Sequence, residues 1–501
     1  MRLKTLFYGL MMGLIAFAPL TAMADETATL RIILTADHYE LPPKNGRGGY
    51  AKLASVVNWE KAGAEHSIFV HAGDAYSPSL LSSMDKGKST VDMLNDVGVD
   101  YMVLGNHEWD FGPEIIRERI WQSKFPILAS NARDKDGFPI DGTVNTAMVT
   151  VGPFRVGIMG LITTDTKEIS TPGTDNFLPV LDTAANLAKE LKGQGANLIV
   201  ALAHLDFTED IKLVRSDIVD VVLSGHDHYY IAWDNDKVIW MDSGENSEKV
   251  GVIDVHMKSY IKRGKKRFDW NAEMRFVDTK NVPEDAAIAS KIKDYDKFLK
   301  SELDIEIGKT STELDSRRNT VRTREAAIGN LIADAMRDGV DADIGIANGG
   351  GIRAKKIYAP GTMITRRDIL SELPFGNVVV KLRLTGAQIW DALENGVSQV
   401  ERNAGRFPQV SGMSYTFKPK AKAGSRVVSV KIGNKALNKS RSYTVATNDY
   451  VANGGDGYSV FKKGKVIIDA SGATLLAGMV MNYIKAKGSV SPKVEGRIVA
   501  Q

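Results

Sequence analysis

The first half of the chain alternates short apolar runs with polar residues. Between Leu30 and about Met257 the apolar runs are Leu30–Thr35, Ser67–Val70, Tyr101–Leu104, Pro126–Leu128, Val156–Ile162, Asn197–Ala203, Val219–Leu223, Val238–Met241 and Val250–Val255. Short runs rich in β-branched residues are typical of buried strands. Stretches with helical spacing separate several of the runs, so the pattern predicts α/β layering.

A different pattern begins at Pro283. Apolar residues recur there at helical spacing as far as Leu303, and the proline falls in the first turn, which favours an exposed connecting helix. A second α/β unit follows, with glycine-rich turns at 348–351 and 453–457. We therefore predict one domain over residues 25–282, a linker helix over 283–304 and a second domain over 305–501.

The first 24 residues have the pattern of a signal peptide. Arg2 and Lys4 precede an apolar run from Thr5 to Leu20, and Ala22-Met23-Ala24 has the small–x–small form of a cleavage site. The apolar run is shorter than the ~20 residues that a membrane span needs. We predict cleavage after Ala24 and a secreted or periplasmic protein; the alternative is a retained membrane anchor.

Composition narrows the class of protein. The 501 residues are 43% hydrophobic and 25% charged, which is typical of globular proteins and excludes collagen, coiled coil and disorder. Cysteine is absent, so there are no disulfides, thiolate metal sites or cysteine nucleophiles. Loss of Arg2 and Lys4 would leave a chain close to neutral, which gives no electrostatic reason to expect nucleic-acid polymers or membrane surfaces as partners. Nothing in the sequence predicts an oligomeric state.

Polar motifs follow five of the apolar runs. They are Asp37, Gly73-Asp74, Gly105-Asn106-His107-Glu108, His204 and Gly225-His226-Asp227-His228, and they hold four of the eight histidines. Ligands bind at the carboxyl ends of strands in α/β sheets, so we expect these side chains to collect there. Aspartate and histidine suit zinc, manganese or iron. One such residue alone is more often a cap, but five motifs in this order predict a metal centre.

These motifs resemble the signature of calcineurin-like metallophosphoesterases, and the chain after residue 24 resembles the secreted bacterial 5′-nucleotidase/UDP-sugar hydrolase family. The resemblance implies an N-terminal four-layer α/β/β/α sandwich and a C-terminal α/β nucleotide-recognition domain. It also implies two divalent ions, zinc, manganese or similar. Asp74 would bridge both ions; Asp37 and His228 would hold the first, and Asn106, His204 and His226 the second.

The resemblance also assigns roles to His107 and Asp110. They match the family's His–Asp dyad, which stabilises charge on the phosphoryl or leaving group. The alternative is that Asp110 merely caps the next helix.

The first motif departs from the family pattern. The family has Asp-x-His, but this chain has Asp37-His38-Tyr39. Alternation along an extended segment points His38 away from Asp37. Three accounts remain open: a bulge turns His38 into the site; Tyr39 binds as a phenolate or leaves the place to water; or the first metal binds weakly and activity is impaired. His38 as a plain surface residue is a further possibility.

The second domain carries residues that match the family's substrate-binding motifs. Arg353 follows the glycines of 349–351, where backbone amides and a guanidinium can hold phosphate. Asn377 belongs to a further motif, Pro-Phe-Gly-Asn. Phe407 and Tyr450 match the two aromatics that stack on a base, and Asp456 would accept bonds from ribose hydroxyls.

The implied function is that of an exported, metal-dependent hydrolase that releases phosphate from nucleoside 5′-monophosphates. Nucleotide-sugars and cyclic nucleotides are further candidate substrates. The first domain would carry out hydrolysis, and the second would hold the nucleoside. Two alternatives remain: a nucleotide-binding protein with an impaired first-metal site, and a related metallohydrolase that acts on another oxyanion ester.

Overall fold

The computed structural model describes residues 25–470 and 472–501. The predicted signal peptide and its cleavage after Ala24 lie outside these residues. Within them, no helix is both long enough and apolar enough to cross a membrane.

The N-terminal half contains two six-stranded sheets. In space, the first has the order β14-β13-β1-β2-β3-β4 and the second β11-β12-β10-β9-β7-β6, while β5 and β8 pair separately. Every apolar run predicted as a strand is one, so that prediction is confirmed. The strands are β1 (Glu26–Thr35), β2 (His66–His71), β3 (Tyr101–Val103), β4 (Ile127–Leu128), β5 (Ala132–Arg133), β6 (Thr146–Val151), β7 (Phe154–Ile162), β8 (Asn176–Phe177), β9 (Leu198–His204), β10 (Val221–Ser224), β11 (Tyr230–Asp234), β12 (Ile239–Ser243), β13 (Lys249–Lys262) and β14 (Lys265–Asp278).

Helices cover the outer faces of both sheets. They are α1 (Tyr50–Ala62), α2 (Ser82–Asp85), α3 (Lys88–Val97), α4 (Pro113–Gln122), α5 (Thr166–Ile169), α6 (Val180–Gly193) and α7 (Phe207–Arg215). Strand β9 shows the layering, because Val200 and Leu202 join the core between the sheets. Its intervening residues Ile199 and Ala201 pack in the cluster that includes α6 and α7. The predicted four-layer sandwich is confirmed.

The linker helix α8 (Ala286–Glu302) lies within the predicted range 283–304. The carboxylate of Asp285 caps it by accepting from the backbone N–H groups of Ala287 and Ile288. The helix is largely exposed, as expected, but Ile288 is buried in the N-terminal core, and Ile292 and Leu299 pack against that core. One face of the linker is therefore part of the first domain.

The C-terminal half is a second α/β unit. Its largest sheet runs β21-β17-β25-β20-β26, with β27 also paired to β20, and a four-stranded sheet runs β24-β23-β22-β29. The strands are β15 (Glu306–Thr310), β16 (Leu314–Asp315), β17 (Ile344–Asn348), β18 (Ile357–Tyr358), β19 (Met363–Thr365), β20 (Val378–Thr385), β21 (Pro408–Ser411), β22 (Met413–Phe417), β23 (Val427–Ile432), β24 (Lys435–Ala436), β25 (Ser442–Asn448), β26 (Lys465–Ile468), β27 (Thr474–Leu475), β28 (Ser489–Val490) and β29 (Ile498–Ala500). The helices are α9 (Arg318–Val321), α10 (Ala327–Gly339), α11 (Arg366–Glu372), α12 (Gly386–Val397), α13 (Asp449–Ala452) and α14 (Leu476–Lys487).

Candidate active site

Four of the predicted metal ligands lie in strand-end turns with left-handed backbone. The φ angles are 51° at Asp37, 58° at Asp74, 90° at His226 and 59° at His228. Residues other than glycine rarely adopt φ above zero, and such strain is concentrated at functional sites. Backbone hydrogen bonds hold the turns, including one from the N–H of Asp37 to the carbonyl of Gly73 at 2.9 Å. The turns aim side chains from both sheets into one buried cluster.

Two glycines of the predicted motifs are required by close approach. A Cβ at Gly105 would collide with the carboxylate of Asp74. A Cβ at Gly225 would lie 2.6 Å from Cβ of Ala36 and 2.8 Å from Oδ2 of Asp37. Each motif glycine therefore leaves room for a carboxylate of the cluster.

The buried carboxylate of Glu108 joins two of the loops. It accepts hydrogen bonds from the N–H groups of Asp74 (2.9 Å), Ala75 (2.7 Å), Tyr76 (3.1 Å) and Gly105 (2.5 Å). The first three belong to the loop after β2 and the fourth to the loop after β3. Glu108 belongs to a predicted motif but has no predicted role; its position three residues after the strand-end Gly105 is the one sequence signal for it.

The centre of the cluster is Asp74, His204 and His226. All three are buried, and one potential ligand atom from each lies within 4.8 Å of the others. Asp74 Oδ2 is 3.0 Å from His204 Nε2. His226 Nδ1 and both polar side-chain atoms of Asn106 are buried without a hydrogen-bond partner. Unpartnered buried oxygen and nitrogen atoms, in a set without thiolates, fit a divalent cation.

The ionisation of the cluster fits the same interpretation. Burial alone would raise the pKa of Asp74, but the imidazoles of His204 and His107 hold it well below its usual range. Burial alone would lower the pKa of His204, but Asp74 raises it to about 10. Burial and the nearby His204 lower the pKa of His226 to about 4. His204 thus holds a proton beside the ionised Asp74, and a cation could replace that proton, because metal ligands must be deprotonated.

Tyr39 lies beside the predicted first-metal ligands. Its hydroxyl is 3.3 Å from Asp37 Oδ1 and 3.1 Å from His228 Nε2. Burial and the carboxylate of Asp37 raise the pKa of Tyr39 well above its usual value. The phenol, rather than a second imidazole, therefore faces the place beside Asp37.

His38 points away from this cluster, as strand alternation predicts. It is buried, its ring stacks on Tyr50 with centroids 3.8 Å apart, and its Nδ1 is 3.0 Å from the hydroxyl of Ser247. Two expectations for His38 are therefore wrong. No bulge turns it into the site, because stacking holds the ring on the other side, and it is not a surface residue.

His107 and Asp110 form the predicted pair. Nδ1 of His107 donates to Asp110 Oδ2 at 2.7 Å, and Nε2 of His107 is 4.0 Å from Asp74 Oδ2. Helix α4 is capped by Gly112 and receives no side-chain cap. The alternative that Asp110 merely caps that helix is wrong. Ser170 donates to the other oxygen of Asp110 at 2.9 Å.

A second site, which we call the nucleoside pocket after the role predicted for its residues, lies in the C-terminal domain. It has a volume of about 430 Å³ and holds four of the predicted substrate residues, Arg353, Asn377, Tyr450 and Asp456. Asn348 ends β17, and Tyr450 follows β25. These two strands are parallel neighbours, so the pocket lies at carboxyl strand ends, where α/β sheets bind ligands.

Phe407 does not belong to the pocket, so its predicted role in stacking is wrong. Its side chain, directly before β21, is fully buried and packs on Phe417 in the C-terminal core. Phe375 lines the pocket instead, with 57% of its surface exposed, and Tyr450 lines the same pocket with 47% exposed. The ring of Phe375 also lies 5.0 Å from the guanidinium of Arg353.

Three residues that line the nucleoside pocket were not predicted as site residues: Phe375, Arg322 and Asn348. Asn348 donates to Asp456 Oδ2 at 2.8 Å and accepts from Asn448 at 3.0 Å. The signals were present, because Phe375 precedes Asn377 in the same motif and Asn348 opens the glycine run. Arg322 had no signal beyond its charge.

Two known protein families match successive parts of the chain. Residues 30–230 match the family described as calcineurin-like phosphoesterase, and residues 306–463 match the family described as 5′-nucleotidase, C-terminal domain. Fold and cluster together define a metal-dependent phosphoesterase.

Individual proteins are similar to this chain over most of its length. The 5′-nucleotidase of Mus musculus is 30% identical over 90% of this chain and 85% of its own length. The crystal structure of a 5′-nucleotidase precursor from Thermus thermophilus has 32% identity, covers 94% of this chain and 99% of that one, and has a TM-score of 0.55. A trifunctional nucleotide phosphoesterase of Bacillus subtilis is 32% identical over 89% of this chain, which spans 34% of that protein's length. The chain belongs to the 5′-nucleotidase family of hydrolases.

The role of Glu108 can be tested by Glu108→Gln. The amide nitrogen of glutamine would face backbone N–H groups that now donate to a carboxylate, leaving buried donors without partners. We expect a loss of about 3 kcal/mol in the free energy of unfolding of the N-terminal domain, measured by urea denaturation. Glu114→Gln, at an exposed position in α4, is the matched control. Equal stability of the two variants would contradict the role of Glu108.

The two phenylalanines should respond in opposite ways to substitution by alanine. Stacking on a base contributes roughly 1–3 kcal/mol, so Phe375→Ala should weaken binding of AMP about tenfold without loss of stability. Phe407→Ala should cost about 3–5 kcal/mol of stability because it empties a core position. Titration calorimetry and thermal unfolding on both variants check this. Strong binding by Phe375→Ala would exclude it as a base-stacking residue.

Proposed function

We propose that this protein is an exported, metal-dependent hydrolase that releases phosphate from nucleoside 5′-monophosphates. The observation that carries the proposal is one chain that combines the buried Asp74–His204–His226 cluster with an aromatic-walled pocket holding arginine and aspartate side chains. The cluster supplies the donor atoms of a hydrolytic metal centre, and the pocket supplies complements to a base, a ribose and a phosphate. Export rests on the N-terminal sequence pattern and on relatives found in snake venom.

The metal centre would hold two divalent ions, with the ligand sets that the resemblance implies. Asn106, His204 and His226 would hold one ion, and Asp37 and His228 the other, with Asp74 between them. Such ions make bound water a nucleophile at neutral pH and neutralise charge on a phosphoryl group. The unpartnered atoms of Asn106 and His226 support the set formed by Asn106, His204 and His226.

The chain's own groups would bind and orient the phosphate ester. His107 is held by Asp110 with Nε2 toward Asp74, so a protonated imidazole there can donate to a phosphoryl or leaving-group oxygen. The His107–Asp110 pair would therefore stabilise the charge that develops as the ester bond breaks.

The nucleoside pocket would hold the remainder of the substrate. Phe375 and Tyr450 offer flat faces on which any base can stack. Asp456, held by Asn348 and near the Tyr450 hydroxyl, has carboxylate oxygens suited to ribose hydroxyls. Arg322 and Arg353 add positive charge for a phosphate. Stacking does not discriminate between bases. Nucleotide-sugars and cyclic nucleotides also carry a base and a phosphate, so they are further candidate substrates.

Tyr39 would make the two metal positions unequal. Its hydroxyl must lose a proton to bind a cation, whereas the histidine usual at this place binds as a neutral imidazole. The hydrogen bond from Tyr39 to Asp37 Oδ1 also competes with a cation for the lone pairs of that carboxylate. We propose an active enzyme with one tightly held ion and one weakly held ion.

Activity assays test the function. We expect purified protein with Mn²⁺ to hydrolyse AMP, to lose activity in chelator and to recover it when Mn²⁺ returns. UDP-glucose and a 2′,3′-cyclic nucleotide are the comparison substrates. His204→Asn should lower kcat by at least roughly 100-fold, while His256→Asn, at a partly exposed histidine of β13 outside the cluster, should not. Nucleotide binding without turnover would instead establish a binding protein with an impaired metal site.

Metal content tests the inequality of the two positions. After limited dialysis against chelator, elemental analysis of the wild type should give about one ion per chain, because the position beside Tyr39 empties first. Tyr39→His should retain close to two ions and raise kcat at low Mn²⁺, whereas Tyr39→Phe should behave like the wild type or bind less metal. Two ions that resist chelator in the wild type would contradict a weakened position.

A further inference from the structure

The two domains meet beside the His107–Asp110 pair. Ile169, the last residue of α5 in the N-terminal domain, packs against a C-terminal cluster of Val380, Ile468 and Ala473. Gly472 lies so close that a Cβ there would be 3.1 Å from the side chain of Ile169. Ile169 of the first domain thus packs against an apolar cluster of the second.

The next residue in the chain is hydrogen-bonded to the pair. Ser170 donates its hydroxyl proton to Asp110 Oδ1 at 2.9 Å, while Asp110 Oδ2 accepts from His107 Nδ1 at 2.7 Å. Asp110 has only 6% of its side chain exposed. The two donors bind opposite oxygens of one carboxylate, so together they fix its orientation, and through it that of the imidazole.

The backbone makes Ile169 and Ser170 move together. The N–H of Ile169 donates to the carbonyl of Asp165, and the N–H of Ser170 donates to that of Thr166. Helix α5 is a single turn that begins at Thr166 and ends at Ile169, with Ser170 as its C-cap. A change in the packing of Ile169 would therefore shift the hydroxyl of Ser170.

We propose that Ser170 is a positioning residue for the His107–Asp110 pair and that docking of Ile169 in the C-terminal domain sets its place. When the domains are docked, the carboxylate of Asp110 has both donors. When they separate, α5 loses its support, and Asp110 keeps only the bond from His107. The proposal rests on the proposed function for its kinetic test, but not for its structural test.

Kinetics test the positioning role. Ser170→Ala should lower kcat roughly tenfold with KM changed less than twofold, since Ser170 does not line the nucleoside pocket. Ser170→Thr keeps the hydroxyl and should restore most of the activity. AMP and bis(4-nitrophenyl) phosphate serve as substrates. Because the phosphodiester needs no nucleoside pocket, it still tests the pair if AMP is not turned over. An unchanged kcat for Ser170→Ala, or no rescue by threonine, would overturn the role.

A double-mutant cycle tests the link. Ile169→Ala should lower kcat, and the Ile169→Ala, Ser170→Ala double variant should be no slower than Ser170→Ala alone, because both act through one bond. Val466→Ala, exposed on the same strand as Ile468, is the matched control and should leave kcat unchanged. Independent effects of the two substitutions, multiplying in kcat, would overturn the link.

Distances between spin labels test docking without any turnover. The chain has no cysteine, so Asp136→Cys and Lys435→Cys give unique label sites, one in each domain. Ile169→Ala should broaden or shift the interlabel distance distribution, whereas Ser170→Ala and Val466→Ala should not. An unchanged distribution in Ile169→Ala would overturn the docking role, whatever the enzyme hydrolyses.

Discussion

The candidate metal centre depends on one buried carboxylate that is not itself a predicted metal ligand. Glu108 accepts hydrogen bonds from four backbone N–H groups in two loops. The loop after β2 carries Asp74, and the loop after β3 carries Asn106 and His107. The left-handed turn at Asp74 is costly in isolation. Hydrogen bonds to a carboxylate are among the stronger ones in proteins, so Glu108 can hold that turn in place.

The sequence predicted the first domain well because strand position and chemistry coincide there. A residue such as His204, at the end of a continuous apolar run, lies at the carboxyl end of a strand. Several such strand ends converge on one place. The pocket of the second domain was harder, because an aromatic such as Phe407 suits both a core and a stacking surface. Packing of Phe407 on Phe417 places its ring in the core, whereas Phe375 is exposed in the loop before β20. Such packing is a tertiary property that a local sequence pattern does not carry.

At position 39 the direction of the side chain matches the family pattern, but the type of residue does not. Alternation correctly places residue 39, and not 38, beside Asp37, so geometry alone identified the side chain that faces the cluster. Its chemistry is that of a phenol, which keeps its proton in a buried acidic setting. The proposed inequality of the two metal positions follows from that one substitution in an otherwise matching set of residues.

The candidate metal centre and the nucleoside pocket have no residue in common. Their residues come from different domains, built on different sheets with separate apolar cores. Mutations that reshape the pocket can therefore accumulate without altering the groups that would break the ester bond. An ancestral chain of this design could change the molecules it recognises through its second half while selection preserved the first, which gives the architecture an unusual capacity to diversify.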